Sequence, residues 1–327
     1  MKSPSSLNRH AVAALSLLFA AIAGSAPGRA QEAGSYPTRP VKIVVPYAAG
    51  ATTDILARTI AKSLEAAWKQ SVYVENQPGG GGLTGAGAVA RSAPDGHTLV
   101  VVTSSHVISP AVMKKPPFDP IDAFSPVTSL IEASTILMSG PNSGIASVAD
   151  LLTKAKAQEL SYGSSGLGSI YHVTITKLAQ MSGAKLQHVP YKGTGPAMTD
   201  LMGGHLPLQS ASIAFAKEFV QGGKVRGLAI ARDSRHPLLP NVPTFKESGY
   251  DLVSSEWWAL LAPAGTPPAV VAKISRDVSA AMKDPSFQQR MPSEEVTPST
   301  PGELLAFLKR EQKIWGHVAR EAGIQLD

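Results

Sequence analysis

The sequence predicts an α/β protein of two lobes, and three observations carry that expectation. Short β-branched runs alternate with amphipathic stretches along most of the chain, the pattern of strands and helices layered about a mostly parallel sheet. The chain has 327 residues, long for one hydrophobic core and comfortable for two. No low-complexity tract, fixed-length repeat or long linker interrupts it, so the boundary between lobes is a change of sheet rather than a tether. One crossover is expected near residues 128–137 and a return near 250–260. That makes residues 31–133 the first lobe, 134–253 the second, and 254–327 a return to the first lobe with C-terminal helices.

Composition narrows the chemistry. Hydrophobic residues make up 43% of the chain and charged residues 17%, as in an ordinary folded protein. Cysteine is absent, which excludes disulfides, thiolate catalysis and thiolate metal sites. The formal charge is +6, but Lys2, Arg9 and Arg29 precede residue 31 and no acid does, so half of that excess sits in the leader. No basic cluster follows, and nucleic-acid binding has no footing. Residues 1–30 themselves read as a signal peptide: a basic start, an apolar run from Ala11 to Ala23, then small residues. Cleavage after Ala30 is preferred to Ala26, because Pro27 would follow the second cut. The mature protein is expected in the periplasm.

In order, Val41–Val45 is a buried strand, and Leu56, Ile60, Leu64 and Trp68 mark one face of the helix after it. Residues 71–75 form a second strand, followed by a glycine-rich turn at 79–82 and a small-residue helix over 86–91. Thr98–Thr103 is a third strand ending at Ser104, Ser105 and His106. Pro116, Pro117, Pro120 and Pro126 indicate a rigid surface connection. Strands over 134–138, 160–162, 186–191 and 225–230 alternate with helices over 148–157, 170–181 and 197–202. Trp257–Leu261 and two helices, 268–282 and 301–322, close the chain.

Three loops share one design, a strand running into a Gly/Ser/Thr turn and at once into a helix: 47–54, 163–172 and 191–197. Helix N-termini carry unpaired N–H groups and the positive end of the macrodipole, so together these loops form a cleft suited to an anion. Their donors are Thr52, Thr53, Ser164, Ser165, Ser169, Thr194 and backbone N–H groups, with Lys192 the one cation. Neutral donors favour a carboxylate over a phosphate gripped by arginines. The alternative, ordinary βα turns with threonine caps, stays open.

Enzyme motifs fail. Gly80, Gly82 and Gly85 fit G-x-G-x-x-G, but no acid follows about 20 residues on to meet a ribose. Leu167 stands where a nucleophile elbow at Ser165 needs glycine. The eight histidines show no metal-ligand spacing, and no metal or cofactor is expected. His172 follows Ser169 in the first turn of a helix, as a cleft residue or as a brace for the neighbouring loop. Trp257 and Trp258, adjacent on a strand, point to opposite faces, one toward core and one toward the cleft.

Across essentially the whole mature chain the sequence resembles the Bug-type extracytoplasmic solute receptors, the substrate-binding components of tripartite tricarboxylate transporters. The resemblance rests on residues 36–40, 46–50 with Asp54, 74–79, 93–96, 118–120, 164–169 with His172, 189–193, 223–229, 242–244 and 261–267. It implies a two-lobe periplasmic-binding-protein fold (type II, Venus-flytrap) with two crossover strands. It also implies a carboxylate held between the lobes, with no catalysis and no cofactor. Carried over by position, it nominates Tyr47, Ala49, Gly50, Ala51, Thr52 and Asp54 from the first lobe. From the second it nominates Ser165, Gly168, Ser169, His172, Tyr191 and Thr194. The expected partners are a small di-, tri- or aromatic carboxylate and the transporter's membrane subunits, with the receptor a monomer. A sensory partner of a membrane signalling protein and a periplasmic α/β enzyme are the alternatives.

Three positions depart from the family pattern. Ala51 replaces a second glycine and is expected to restrict the loop's backbone. Leu83 stands where asparagine is common. Ala211 lies near a position where an acid often meets a ligand's amino or hydroxyl group, so its presence points away from amino acids and toward a less polar carboxylate.

Overall fold

The computed structural model describes residues 36–111, 113–291, 295–321 and 323–324. The expected signal peptide and both cleavage points lie outside these residues.

The β-branched run Val41–Val45 forms β1, buried except at Lys42. Helix α1, Thr52–Trp68, lays Leu56, Ile60 and Leu64 against the sheet with no exposure. Each such side chain contributes about 1.5–3 kcal/mol over an exposed one. Strand β2 (Val72–Asn76) and β3 (Thr98–Thr103) flank β1, both parallel to it. A 3-10 turn at Gly80–Gly82 and helix α2 (Leu83–Ala90) connect them. Helix α3, Ser105–Ala111, follows β3 directly.

Strand β4 runs from Phe124 to Ser139. It extends ten residues further toward the N-terminus than the strand expected from Ser134, because Pro126 does not end it. The proline sits where the register shifts between Pro126 and Thr128, a bulge that needs no ladder donor.

The second lobe contains α4 (Val148–Ala157), β5 (Leu160–Ser164), α5 (Ile170–Ser182), β6 (Leu186–Pro190) and α6 (Thr194–Gly203). It continues with β7 (Leu208–Ser212), α7 (Ile213–Gln221) and β8 (Arg226–Ile230). Strand β9 (Ser255–Pro263), α8 (Pro268–Met282), α9 (Pro285–Arg290), β10 (Glu295–Val296) and α10 (Pro301–Glu321) complete the chain.

The pairing is more mixed than the expected parallel sheet. In one half, β2, β1 and β3 are parallel, while β9, β4 and β10 add antiparallel. In the other, β6, β5 and β7 are parallel, while β4 pairs antiparallel with both β7 and β8. Strand β4 belongs to both halves. It pairs with β9 as far as Ser134↔Ser255, and from Thr135 onward its partner is Ser212 of β7. One strand, β4, thus passes between the lobes rather than the expected two. The chain returns beside it through residues 251–254, which are not strand, just ahead of β9, and there Thr135 Oγ1 and Ser254 Oγ lie 2.7 Å apart. Apolar clusters pack on both sides of each half-sheet. Ile170, Tyr171 and Val173 of α5 reach out of the second lobe into the cluster around Trp257 and Leu304.

Candidate ligand site between the lobes

The first loop is folded by its own aspartate. Asp54 Oδ2 accepts the Gly50 N–H at 3.1 Å, and the carboxylate also accepts from Arg58 Nε and from Asn76 Nδ2. Burial works against ionisation here, yet the bonds from Arg58, Asn76 and Gly50 outweigh it and hold Asp54 below the usual carboxylate range. Gly50 takes the left-handed backbone (φ +87°) that this turn requires. Asp54 is therefore occupied within the loop. No side chain caps α1; the N–H groups of Asp54 and Ile55 bond the Ala51 carbonyl, which leaves those of Thr52 and Thr53, the residues that line the cleft, for a ligand. Tyr47 reaches across to bond Thr103 Oγ1 at 2.8 Å.

The second loop is braced from behind. Ser169 Oγ donates to the Gly166 carbonyl at 2.8 Å and accepts the His172 N–H as the N-cap of α5. His172 Nδ1 accepts the Gly168 N–H, and its ring stacks on His188 with centroids 3.7 Å apart. Burial pushes His172 down to about 4, and burial with the neighbouring His172 pushes His188 down to about 3, so both rings are neutral at pH 7. This leaves Ser165 turned into the cleft.

The third loop passes Tyr191, whose hydroxyl donates to Asp200 at 2.7 Å. Burial, then Asp200, raises that phenol to about 12. Helix α6 begins at Thr194 after Gly193, again with no side-chain cap. Gln209 Nε2 bonds the Thr194 carbonyl from below.

The jaws touch. Ala48 N–H donates to the Lys192 carbonyl at 3.4 Å, and Ser109 Oγ to the Leu167 carbonyl at 3.3 Å. Two chambers lie between them and share Tyr47 and Ser165. The inner one is about 30 Å³, room for a water or two, and is lined by Thr52, Thr53, Thr103, Thr194, Glu256 and Trp258 among others. The outer one is about 550 Å³, walled by Gly79–Gly82, Leu83, Met113, Leu167 and Tyr191, with Lys192 exposed at its rim. Of the nominated residues, Tyr47, Ala51, Thr52, Ser165, Tyr191 and Thr194 line a chamber; Ala49, Gly50, Asp54, Gly168, Ser169 and His172 do not.

Glu256 is the residue that sequence reasoning missed. It is buried, and its Oε1 accepts from Ser104 N–H at 2.9 Å and Ser104 Oγ at 2.6 Å, with the hydroxyls of Tyr171 and Thr103 beside the carboxyl. Burial raises it to about 7 against those bonds. Its signal was present: it is the one charged residue in β9, directly before the apolar run Trp257–Pro263. The tandem tryptophans divide as alternation predicts. Trp257 stacks edge-on to Phe307 and bonds Glu311, while Trp258 donates to Thr53 Oγ1 at 2.8 Å at the inner chamber.

Comparison with known proteins now adds to the geometry. The profile of the tripartite tricarboxylate transporter family receptor (TctC) matches residues 56–324. The chain belongs to this receptor family. It is 33% identical to BugT of Bordetella pertussis, over 94% of this chain and 96% of that one. The R. palustris protein Rpa4515 with adipate superposes at a TM-score of 0.84, with 32% identity over 89% of this chain and 99% of that one. MatC from Rhodopseudomonas palustris with bound malate does so at 0.82, with 30% identity over 86% and 99%. The fold is thus the family's two-lobed α/β periplasmic-binding-protein fold, and the protein is a periplasmic solute-binding protein.

Two expectations drawn from departures within the TctC family change. Ala51 has φ −91° and ψ 171°, an extended backbone that any residue adopts, so its methyl does not restrict the loop; it lines the inner chamber instead. Ala211 points into the core with Ile136 and Met138, away from the cleft, so it is no measure of a missing acid. The acid in the chamber comes from Glu256, on β9. Leu83 forms part of the outer chamber's apolar wall.

Proposed function

We propose that this receptor captures a small dicarboxylate in the periplasm, as a monomer and without altering it, and delivers it to the membrane subunits of a tripartite tricarboxylate transporter. One observation carries the reading. Two helices, α1 from one lobe and α6 from the other, begin without side-chain caps at the same small polar chamber. A carboxylate there meets unpaired N–H groups and two positive dipole ends at once. Because the groups come from different lobes, they converge only when the jaws are shut, so ligand binding favours closure. The hinge is the crossing of β4 at Ser134–Thr135 together with the return segment that enters β9 at Ser254–Ser255, which divides the chain into lobes at those points. The outer chamber, apolar along Leu83, Met113 and Leu167 with Lys192 at its rim, suits a methylene spacer ending in a second carboxylate. The adipate and malate of the two related structures fall within this class. Export through a cleavable leader at residues 1–30 fits a periplasmic receptor.

A thermal-shift screen of dicarboxylates, tricarboxylates, aromatic carboxylates, amino acids and neutral sugars tests this. A ligand present at about 100 times its Kd adds about 2.7 kcal/mol, which for a chain of this size raises Tm by roughly 4 °C. Stabilisation by sugars alone, with no carboxylate active, would overturn the proposal.

A further inference from the structure

A carboxyl group inside a chamber built for a carboxylate is a contradiction unless its charge can be removed. Glu256 shares the inner chamber with the first turns of α1 and α6. It is 2% exposed and enters no ion pair with Lys, Arg or His among the described residues. Facing it are Tyr47 from the first loop, Thr103 and Ser104 from the end of β3, Tyr171 from α5 and Ser212 from β7. Tyr47 and Tyr171 are the titratable groups among these, and burial followed by the nearby Glu256 keeps both phenols protonated. No cationic side chain lines the chamber, so the two helix ends have to offset both charges, and two carboxylates confined to one such site do not both stay ionised.

We propose that ligand capture is coupled to the uptake of one proton, held on Glu256, whose O–H then donates to the ligand carboxylate. The proposal rests on the carboxylate-capture reading above and names how its site tolerates an acid. The proton comes from solvent as the jaws close and stays on the glutamic acid; the ligand is released unchanged when the jaws open. Ser104, through its N–H and hydroxyl, holds the carboxyl in place in either state, so the chamber changes charge without changing shape. With the jaws in contact, burial, opposed by the Ser104 bonds, raises Glu256 to about 7, within reach of pH changes in the periplasm.

Titration calorimetry with adipate and with malate, between pH 6.5 and 9, tests the coupling. Both ligands are fully ionised across that range, so their own titration does not contribute. The expected result is a Kd that weakens about tenfold per pH unit above pH 7. In buffers of different ionisation enthalpy, proton uptake should approach one per ligand bound at the alkaline end. E256Q, which is uncharged at every pH and still carries a donor, should bind with a flat pH profile and no uptake. A wild-type Kd that is flat from pH 6.5 to 9, with no buffer dependence, would overturn the proposal while leaving carboxylate capture intact. An E256Q slope equal to wild type would assign the proton to another group. If neither dicarboxylate binds at any pH, the capture reading fails and the coupling with it. The buffer dependence is read on the wild-type protein, so the test stands even if E256Q folds poorly.

Discussion

Gly168 packs against Ser109 of the opposite jaw, and replacing it separates closure from stability. Its φ is +68°, and a methyl built on it would lie 2.5 Å from Ser109 Oγ and 3.0 Å from Ser109 Cα, across the cleft. The hydroxyl could rotate away, but the backbone Cα could not. Gly168→Ala therefore carries two costs. The left-handed backbone costs an L-residue about 1–2 kcal/mol whether the jaws are open or shut. The contact with Ser109 is an overpacking cost of about 1–3 kcal/mol that applies only to the shut state. Gly183 at the end of α5 is the matched control: its φ is +69°, and nothing lies within 4 Å of the added methyl. Both variants should lose about 1–2 kcal/mol in urea melts of the unliganded protein, whose jaws are free to open and relieve the contact with Ser109. In calorimetric titration with the strongest dicarboxylate, only Gly168→Ala should weaken binding, by about 5- to 150-fold. Equal affinities for the two variants would show that Ser109 and Gly168 do not meet in the bound state, and closure as described here would be wrong.

Other outcomes follow from the same geometry. Burial holds His106 and His172 at about 4 and His188 at about 3, all neutral in the fold. Stability is therefore present above the unfolded histidine value near 6.5 and lost as pH falls toward 4, by about 3 kcal/mol for fully buried His106. Glu256 acts in the opposite sense: raised to about 7, it contributes stability below about pH 4.5 that is lost as pH rises toward 7. Urea melts between pH 7 and 4 should show a net acid loss, steeper in E256Q and shallower in His106→Gln; a flat profile would mean that these rings titrate normally. Ser169→Ala should lower stability by about 1 kcal/mol through the lost N-cap. It should change Kd far less than Ser165→Ala, and the reverse order would put Ser169 in direct contact with ligand. Ala51→Gly should cost about 0.4–1 kcal/mol of stability through the unfolded chain. By widening the inner chamber it should improve binding of dicarboxylates branched beside the carboxylate; unchanged branched-to-linear ratios would place that methyl outside the site.

Much of the fold was legible because its signals are local. The buried strands β1 and β3 and the helices over 148–157 and 268–282 fall where periodicity placed them, since pattern and burial agree there. Strand β7 and helix α7 were not legible. Leu208–Ser212 carries Gln209, Ser210 and Ser212 yet is wholly buried, because it lies between β4 and β5 beneath the cleft. Polar residues that support a site look like surface residues in the sequence. Helix α3 was hidden by Pro110 in its last turn and by serines at its start. At the site, the three loops were readable because glycine and hydroxyl residues before a helix have a physical meaning at each loop separately. What joins them is not local. Glu256 lies 152 residues from Ser104 and Trp258 lies 205 from Thr53, separations that no motif spans. The same holds for which loop residues face inward. Asp54, Ser169 and His172 were nominated with Thr52 and Ser165, and only the hydrogen bonds show that the first three are spent on shaping the loops.

A crystal structure of the protein grown with adipate addresses capture between the lobes most directly. One carboxylate should occupy the inner chamber, within hydrogen-bond distance of the N–H groups that open α1 and α6 and of Ser165, with the second directed toward Lys192. The main competitor is the groove of about 600 Å³ at the crossover, lined by Glu132, Arg232 and His236. Adipate bound in that groove, or held wholly in the outer chamber with the inner one still closed to it, would contradict the assignment of the site.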